Sequence, residues 1–242
     1  MSTAARHKEI VTSLAAAGKH TPYAADANEP DPRYLGYGVR APQMKTLISG
    51  WLPGFRALDD QARVELATAL IRSGYGEQKT VALALLNMSL DFFKPDQFGL
   101  VDQLVRKQHG WSKIDAYAGS SLRALLARHP QRTLALTSHW STDHELWLRR
   151  ASVVLFTRNI ARQGSHIDHA LGLCEVLKHD PEDMVQKGVR WCLKDHMRFD
   201  KPRIVEYVIS LRQQGVPATV TSYALRDLPR QERQDILKCR QV

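Results

Sequence analysis

The chain has 242 residues, 43% of them hydrophobic, which is enough for a sizeable core. It carries 34 lysines and arginines against 25 acidic residues, a formal net charge of +9. This charge favours polyanionic partners, nucleic acid first and an anionic membrane surface second. The first ten residues lack an apolar signal core and no apolar run approaches a membrane span, so we expect a cytoplasmic, nucleoid-associated protein. The three cysteines form no CxxC pair and predict reduced thiols: Cys174, Cys192 and Cys239.

Amphipathic helical patterns follow one another along the chain, and strand-like alternation is nearly absent. Apolar residues at spacings of three and four predict helices over 59–73, 77–90, 96–108, 111–128, 144–161, 166–178, 182–197 and 201–214. Prolines lie where helices should begin, at Pro42, Pro95, Pro130, Pro181, Pro202 and Pro229. The short connections predict that neighbouring helices pack antiparallel.

The spacing of the helical pairs predicts the architecture. Region 18–40 is rich in Gly, Pro and Asp, which is typical of a loop between an N-terminal helix and the rest. No convincing linker is visible, so we expect one domain over residues 1–242. Helical pairs recur at roughly the spacing of HEAT-like units, which predicts an all-α, curved α-solenoid with a concave basic face. A compact irregular helical bundle is the alternative.

A carboxylate interrupts the apolar stripe of the segment "HGWSKIDAYAGSSLRALLARHP" at 109–130. Asp115 lies within that stripe, four residues after Trp111 and therefore on the same helical face. Burying an unpaired carboxylate is costly, so Asp115 must have a partner or line a cleft. A buried Asp–Arg ion pair between helices is the structural alternative. The stripe itself consists of Ile114, Ala118, Leu122, Leu125 and Leu126.

Paired arginines mark the segment "HELWLRRASVVLF" at 144–156. Arg150 is a candidate partner for Asp115 or for a phosphate. Arg149 projects about 100° away on a helix, so the two arginines cannot share one role. For either arginine taken alone, a solvated helix face is the simpler interpretation.

The segment "DMVQKGVRWCLKDHMR" at 183–198 places an indole among cations. Trp191 lies off the apolar stripe and shares a face with Lys187, Lys194 and Arg198. A groove that stacks on sugars or bases while its cations hold phosphates needs this combination. Packing of the indole between neighbouring helical layers is the alternative. The apolar stripe comprises Val185, Val189, Cys192, Leu193 and His196.

These three segments together resemble the AlkD-type DNA alkylation repair family of HEAT-like-repeat glycosylases. The resemblance rests on "GWSKIDAYA", "LWLRRASVV" and "MVQKGVRWCLKDH", with weaker support from "YLGYGVRAPQMKTL" at 34–47. It implies a catalytic cleft formed by Trp111, Asp115 and Trp191. It also places the family's cleft arginine at Arg150. The further DNA-binding positions that it implies are Lys187, Lys194, Lys45, Arg149, Arg198 and Tyr37.

Some details depart from the family pattern. The best-known members carry arginine where this chain has Lys194, which keeps the charge but weakens bidentate phosphate binding. The aromatic that faces the lesion from the N-terminal helices has three candidates here, Tyr23, Tyr34 and Tyr37. The tail over 226–240 adds basic residues that would extend a phosphate track if they reach the concave face: Arg226, Arg230, Arg233, Lys238 and Arg240.

The resemblance implies a monofunctional base-excision DNA glycosylase that uses no metal and no cofactor. Its expected substrate is double-stranded DNA that contains positively charged N3- or N7-alkylated purines, and the expected state is a monomer. A non-catalytic HEAT-like scaffold that binds branched or damaged DNA is the rival. His166 and His169 in "HIDH" have a spacing that suits a metal, yet no third ligand is near in sequence and a solvated pair is favoured.

Overall fold

The computed structural model describes residues 2–18, 23–24 (backbone only) and 31–238 of the chain. By its internal contacts the chain divides into two compact units, Met1–Arg132 and Thr133–Val242. The single domain over 1–242 stays a prediction. Among the described residues, no helix is long and apolar enough to cross a membrane.

The first unit consists of short helices joined by tight connections. In it, α3 packs on α4, and α1 packs on both. The aliphatic side chains of α3 and α4 that face each other are fully buried and form the core of the unit. The helices are α1 (Thr3–Ala17), α2 (Ala41–Arg56), α3 (Asp60–Ile71), α4 (Gly76–Met88), α5 (Phe98–Arg106), α6 (Trp111–Tyr117) and α7 (Arg123–Arg128). A π-helical segment, Ala118–Leu122, joins α6 to α7, and 3₁₀ turns occupy Leu90–Phe92 and Pro95–Gln97.

Two short strands lie where the sequence predicted only a loop. Strand β1 (Tyr23–Ala24) pairs antiparallel with β2 (Leu35–Gly36). The prediction of a loop over 18–40 is therefore wrong at these positions. Two-residue strands carry too few residues for an alternating pattern, so the sequence offers no signal for them.

Helix α12 is the central element of the second unit. It packs against α9, α11 and α14, and the close approach of α9 is made possible by Gly188. A Cβ at Gly188 would lie 3.0 Å from Val153 Cγ1 and 3.3 Å from Val154 Cγ2. The unit division falls within α8 (Pro130–Trp140), and the remaining helices are α9 (Leu146–Val154), α10 (Asn159–Arg162), α11 (Ile167–Leu177), α12 (Asp183–His196), α13 (Lys201–Gln213), α14 (Ala218–Ala224) and α15 (Arg230–Lys238).

The all-α class is confirmed, and both predicted apolar stripes are buried. The stripes of 111–128 and of α12 lie in the cores of their units. The predicted continuous helix over 144–161 is wrong, because α9 ends at Val154 and α10 begins only at Asn159. The backbone N–H of Arg158 leaves the helical pattern and donates to the carboxylate of Asp195. No glycine or proline marks this break in the sequence.

Candidate functional site

Trp111 and Asp115 lie one turn apart on α6. Gly110 precedes the helix with φ +94°, a conformation that glycine adopts without strain, so α6 begins at Trp111. Trp111 is 37% exposed, whereas Asp115 is only 7% exposed. Lys113 on the same helix donates to Thr80 Oγ1 at 2.8 Å and anchors α6 to α4. The helix therefore presents an accessible indole beside a sheltered carboxylate.

The helix widens immediately after this pair. The N–H of Arg123 donates to the carbonyl of Ala118, five residues earlier, which defines the π-helical segment Ala118–Leu122. Such segments are frequent at functional sites. The widening was not predicted from the amino-acid pattern. The sequence feature associated with the π-helical segment is the pair of small residues at its start, Ala118 and Gly119.

Two of the N-terminal candidates, Lys45 and Tyr34, line a cleft of the first unit. Lys45 and Lys113 line this cleft of about 530 Å³, together with Tyr34 and Glu77. Tyr37 instead stacks on a neighbouring ring, with 4.2 Å between its centroid and that of Tyr75. Its hydroxyl accepts a hydrogen bond from Gln78 Nε2 at 2.7 Å, and burial raises the pKa of Tyr37. The side chain of the third candidate, Tyr23, lies outside the described part of the structure.

The paired arginines of α9 donate to different acceptors, in keeping with their 100° offset. Arg150 is buried and its Nη1 donates to the carbonyl of Met184 at 2.5 Å. Arg149 pairs with Asp180 at 2.6 Å and also donates to the carbonyls of Asp143 and His144. Neither side chain lies on a solvated face, so that interpretation is wrong. The contacts of Arg149 favour a structural role over the predicted contact with DNA.

Trp191 lies on α12 beneath a guanidinium that sequence analysis did not single out. The Cζ of Arg158 lies 4.7 Å from the indole centroid. The half-buried Lys194 pairs with its neighbour Asp195 at 3.0 Å. The cation over the indole is therefore Arg158, 33 positions earlier in the chain, and the grouping of Trp191 with Lys187, Lys194 and Arg198 stays a prediction. No local pattern could have connected Arg158 with Trp191.

The remaining basic candidates of the second unit are held by acidic neighbours. Lys187 pairs with Asp183 at 2.6 Å on the exposed side of α12. Arg198 pairs with Asp227 at 2.7 Å, and this hydrogen bond holds the pKa of Asp227 below its usual value. Arg226 lies close to the same carboxylate, at 3.7 Å. The tail residue Arg240 lies outside the described residues, as does Cys239, whereas Arg230, Arg233 and Lys238 belong to α15.

The sequence-predicted site residues are divided between the two units. The first unit holds Trp111, Asp115, Tyr37 and Lys45. The second unit holds Trp191, Arg150 and the cations of α12. Their assembly into one cleft stays a prediction.

His166 and His169, which were predicted to be a solvated pair, are both partly buried. His169 Nε2 lies 2.9 Å from Thr137 Oγ1, and its ring packs 5.1 Å from that of Phe156. Burial, with the neighbouring His166, lowers the pKa of His169. Across the described residues, no three His, Cys, Asp or Glu side chains are grouped so that they could hold a metal ion.

The comparison with protein families decides the assignment. The sequence profile of the family described as DNA alkylation repair enzyme matches residues 13–228, most of the chain. The chain belongs to this family. The resemblance drawn from its three segments is thereby confirmed. Among curated proteins, no sequence matches the chain.

Solved structures share the fold of this family member. A predicted DNA alkylation repair enzyme from Enterococcus faecalis superposes with a TM-score of 0.69 at 16% identity, covering 82% of this chain and 90% of that one. The protein smu.31 from Streptococcus mutans UA159 gives a TM-score of 0.60 at 16% identity, covering 77% and 93%. At such identities the likeness is one of fold.

Proposed function

We propose that this DNA alkylation repair family member is a DNA glycosylase. Its substrate is duplex DNA that carries N3- or N7-alkylated purines, such as 3-methyladenine and 7-methylguanine. The observation that carries the proposal is the arrangement on α6, where the sheltered carboxylate of Asp115 lies one turn behind the exposed indole of Trp111. A protein that only binds DNA has no need of that carboxylate.

The chemistry follows from the charge of the substrate. An N3- or N7-alkylated purine is already cationic, so its base leaves with the electron pair of the C1′–N bond as a neutral purine. The sugar that remains is oxocarbenium-like, and a carboxylate stabilises its positive charge. Asp115 also orients the water that adds to C1′ and accepts its proton. No general acid is needed for the leaving base.

The two tryptophans hold the lesion nucleotide in this proposal. Trp111 and Trp191 contact its cationic base or its sugar by cation–π and CH–π interactions, worth roughly 0.5–2 kcal/mol each. The family resemblance implies an open cleft, in contrast to the tight pocket into which most glycosylases flip a base. We therefore expect tolerance of bulky alkyl groups, and a preference for cationic lesions over the neutral 1,N6-ethenoadenine.

Basic side chains fix the position of the duplex. Lys187 and Lys194 of α12 are the proposed phosphate contacts in the second unit, and Lys45 is the candidate in the first; the burial of Arg150 argues against the phosphate contact predicted for it. Both Lys187 and Lys194 already pair with acidic neighbours, so DNA must exchange those contacts for phosphates. We propose that the protein acts as a monomer.

The decisive experiment is single-turnover release of 7-methylguanine and 3-methyladenine from methylated duplex DNA. Asp115→Asn keeps the shape of the side chain and removes its charge, and we expect release to fall about 10²–10³-fold. Asp102→Asn is the matched control, since Asp102 pairs with Arg106 on α5 and has no proposed role in catalysis. DNA binding by both variants is measured on the same duplex.

The outcomes separate the enzyme from the scaffold. Loss of release in Asp115→Asn with binding retained assigns catalysis to the carboxylate. No release by the wild-type protein, combined with tight and salt-sensitive DNA binding, would replace the glycosylase by a non-catalytic DNA-structure binder.

A further inference from the structure

Arg158 has a backbone conformation that L-residues rarely adopt. Its φ is +54° and its ψ is −117°, in the connection between α9 and α10. The Cβ of any residue but glycine is strained there, so such a conformation persists only where the surroundings enforce it. The connection "LFTRN" over 155–159 contains no glycine. The chain therefore tolerates strain at Arg158, a position where glycine would remove it.

A buried carboxylate enforces this conformation. Asp195 Oδ2 accepts the backbone N–H of Arg158 at 2.8 Å, and Asp195 Oδ1 pairs with Lys194 Nζ at 3.0 Å. Asp195 lies on α12 and is almost fully buried. One side chain thus fixes the turn that carries Arg158 and the lysine predicted to contact DNA.

The enforced turn directs the arginine side chain over the indole of Trp191. The guanidinium carbon lies 4.7 Å from the ring centroid, a distance typical of a cation–π contact. Guanidinium groups also stack on aromatic faces as flat plates. A ring covered on one face loses rotational freedom, and a ligand can stack only on its opposite face. Both effects act on the tryptophan that the proposed function places against the lesion nucleotide.

We propose that Arg158 is a positioning residue for Trp191, set by Asp195. The inference rests on the proposed function, because it assumes that Trp191 holds the lesion nucleotide. The strain at Arg158 is retained because an arginine side chain is required at this position, where glycine would give the more stable turn. Arg158 acts through the indole and has no part in cleaving the glycosidic bond.

Arg158→Gly is the sharpest test, because it separates stability from function. Glycine relieves the strain at φ +54° and removes the guanidinium, so we expect an unchanged or higher melting temperature. We also expect single-turnover release of 7-methylguanine to fall by about 3–10-fold, the loss that one cation–π contact predicts. If Arg158 had only a structural role, Arg158→Gly would not slow the release of 7-methylguanine while making the protein more stable. Arg158→Lys restores a cation and is expected to recover part of the rate.

A second measurement reports on the indole itself. Acrylamide quenching of Trp191 is obtained as the difference between a protein with Trp191 and its Trp191→Phe counterpart. We expect Arg158→Gly to increase the quenching of Trp191, since one face of the ring becomes accessible. Gly172→Ala on α11 is the control variant, because a Cβ there meets no atom within 4 Å. It should leave both release and quenching unchanged.

The outcomes distinguish this inference from the proposed function. Release and quenching that both remain at wild-type values in Arg158→Gly overturn the positioning role. If the wild-type protein releases no alkylpurine, the glycosylase proposal fails independently. The positioning of Trp191 is then tested by the quenching difference alone. Increased quenching in Arg158→Gly supports the contact between Arg158 and the ring, and unchanged quenching refutes it.

Discussion

The guanidinium of Arg149 binds the carboxylate of Asp180, with Nε 2.6 Å from Oδ2 and Nη2 3.2 Å from Oδ1. The two side chains are only 13% and 4% exposed. Asp180 also accepts the N–H of Glu182, so its carboxylate fixes the connection between α11 and α12. The pair joins the beginning of α9 to the beginning of α12, the two helices that carry Arg150 and Trp191.

Removing one partner of this ion pair should destabilise the protein more than removing both. Arg149→Ala leaves the Asp180 carboxylate buried without its cation, and we expect a loss of about 3–5 kcal/mol in the free energy of unfolding. Urea unfolding of Arg149→Ala, Asp180→Asn and the double variant measures the coupling energy. Additive losses would contradict the assignment, as would an Arg149→Ala variant of full stability whose DNA binding is weakened.

Replacing glycine by alanine should have opposite effects on stability at Gly172 and at Gly188, because Gly188 lies in the contact between α9 and α12 and Gly172 lies on α11. Gly172→Ala on α11 meets no atom and replaces a poor helix former, so we expect a gain of about 0.5–1 kcal/mol in stability. Gly188→Ala gains the same propensity, but its Cβ meets Val153 at 3.0 Å. Because overpacking costs about 1–3 kcal/mol, we expect a net loss there of about 1 kcal/mol.

Denaturant unfolding of the two glycine variants compares these effects directly. A gain in stability at both glycines would show that α9 moves aside without cost. Equal losses of stability in the two variants would mean that helix propensity does not determine the effect of alanine at Gly172.

Acid should destabilise the second unit through a buried histidine. Burial lowers the pKa of His196 on α12, and this effect outweighs the opposing charge of Asp195. The unfolded chain therefore binds a proton at a higher pH than the folded one. Stability contributed by the neutral imidazole is present above about pH 6.5, the usual pKa of histidine, and is lost as the pH falls below it.

The measurement is the free energy of unfolding between pH 8 and pH 5. The wild-type protein is expected to lose stability over this range, and His196→Leu should show a smaller loss. His7→Leu on α1 is a control, because His7 lies outside the second unit. A pH dependence of equal size in the wild-type protein and in His196→Leu would show that other groups dominate it.

The sequence predicted those features that depend on residues close together in the chain. Apolar spacing identified α12 and its buried stripe, and the same spacing placed Trp111 and Asp115 on one helix face. The i, i+4 relation depends only on helical geometry, so it holds in the folded protein.

Features that depend on distant partners were not predictable. Asp180 lies 31 positions from Arg149, and Asp195 lies 37 positions from Arg158. Nothing in "LFTRN" indicates that a carboxylate from another helix takes the N–H of Arg158 and ends α9. The solvated faces expected for the arginines failed for the same reason, since each guanidinium found buried acceptors on a neighbouring element.

The salt dependence of DNA binding should identify which lysines contact phosphates. Each phosphate contact removed lowers the slope of log K against log salt concentration by about 0.9. We expect this reduction for Lys187→Ala and for Lys194→Ala. In the proposed complex, DNA phosphates bind these two lysines, which pair with Asp183 and Asp195 in the free protein. Lys178→Ala is the matched control, since Lys178 pairs with Glu175 on α11 and has no proposed contact with DNA.

Titrations of an unmodified duplex between 50 and 300 mM salt provide the slopes. Lys187→Ala exposes little new apolar surface, so its melting temperature should match that of the wild-type protein. Lys194→Ala leaves the buried Asp195 without its cation, and we expect a lower melting temperature together with the smaller slope. A wild-type slope in Lys187→Ala would remove that residue from the proposed phosphate contacts. A reduced slope in Lys178→Ala would show that the duplex also contacts α11.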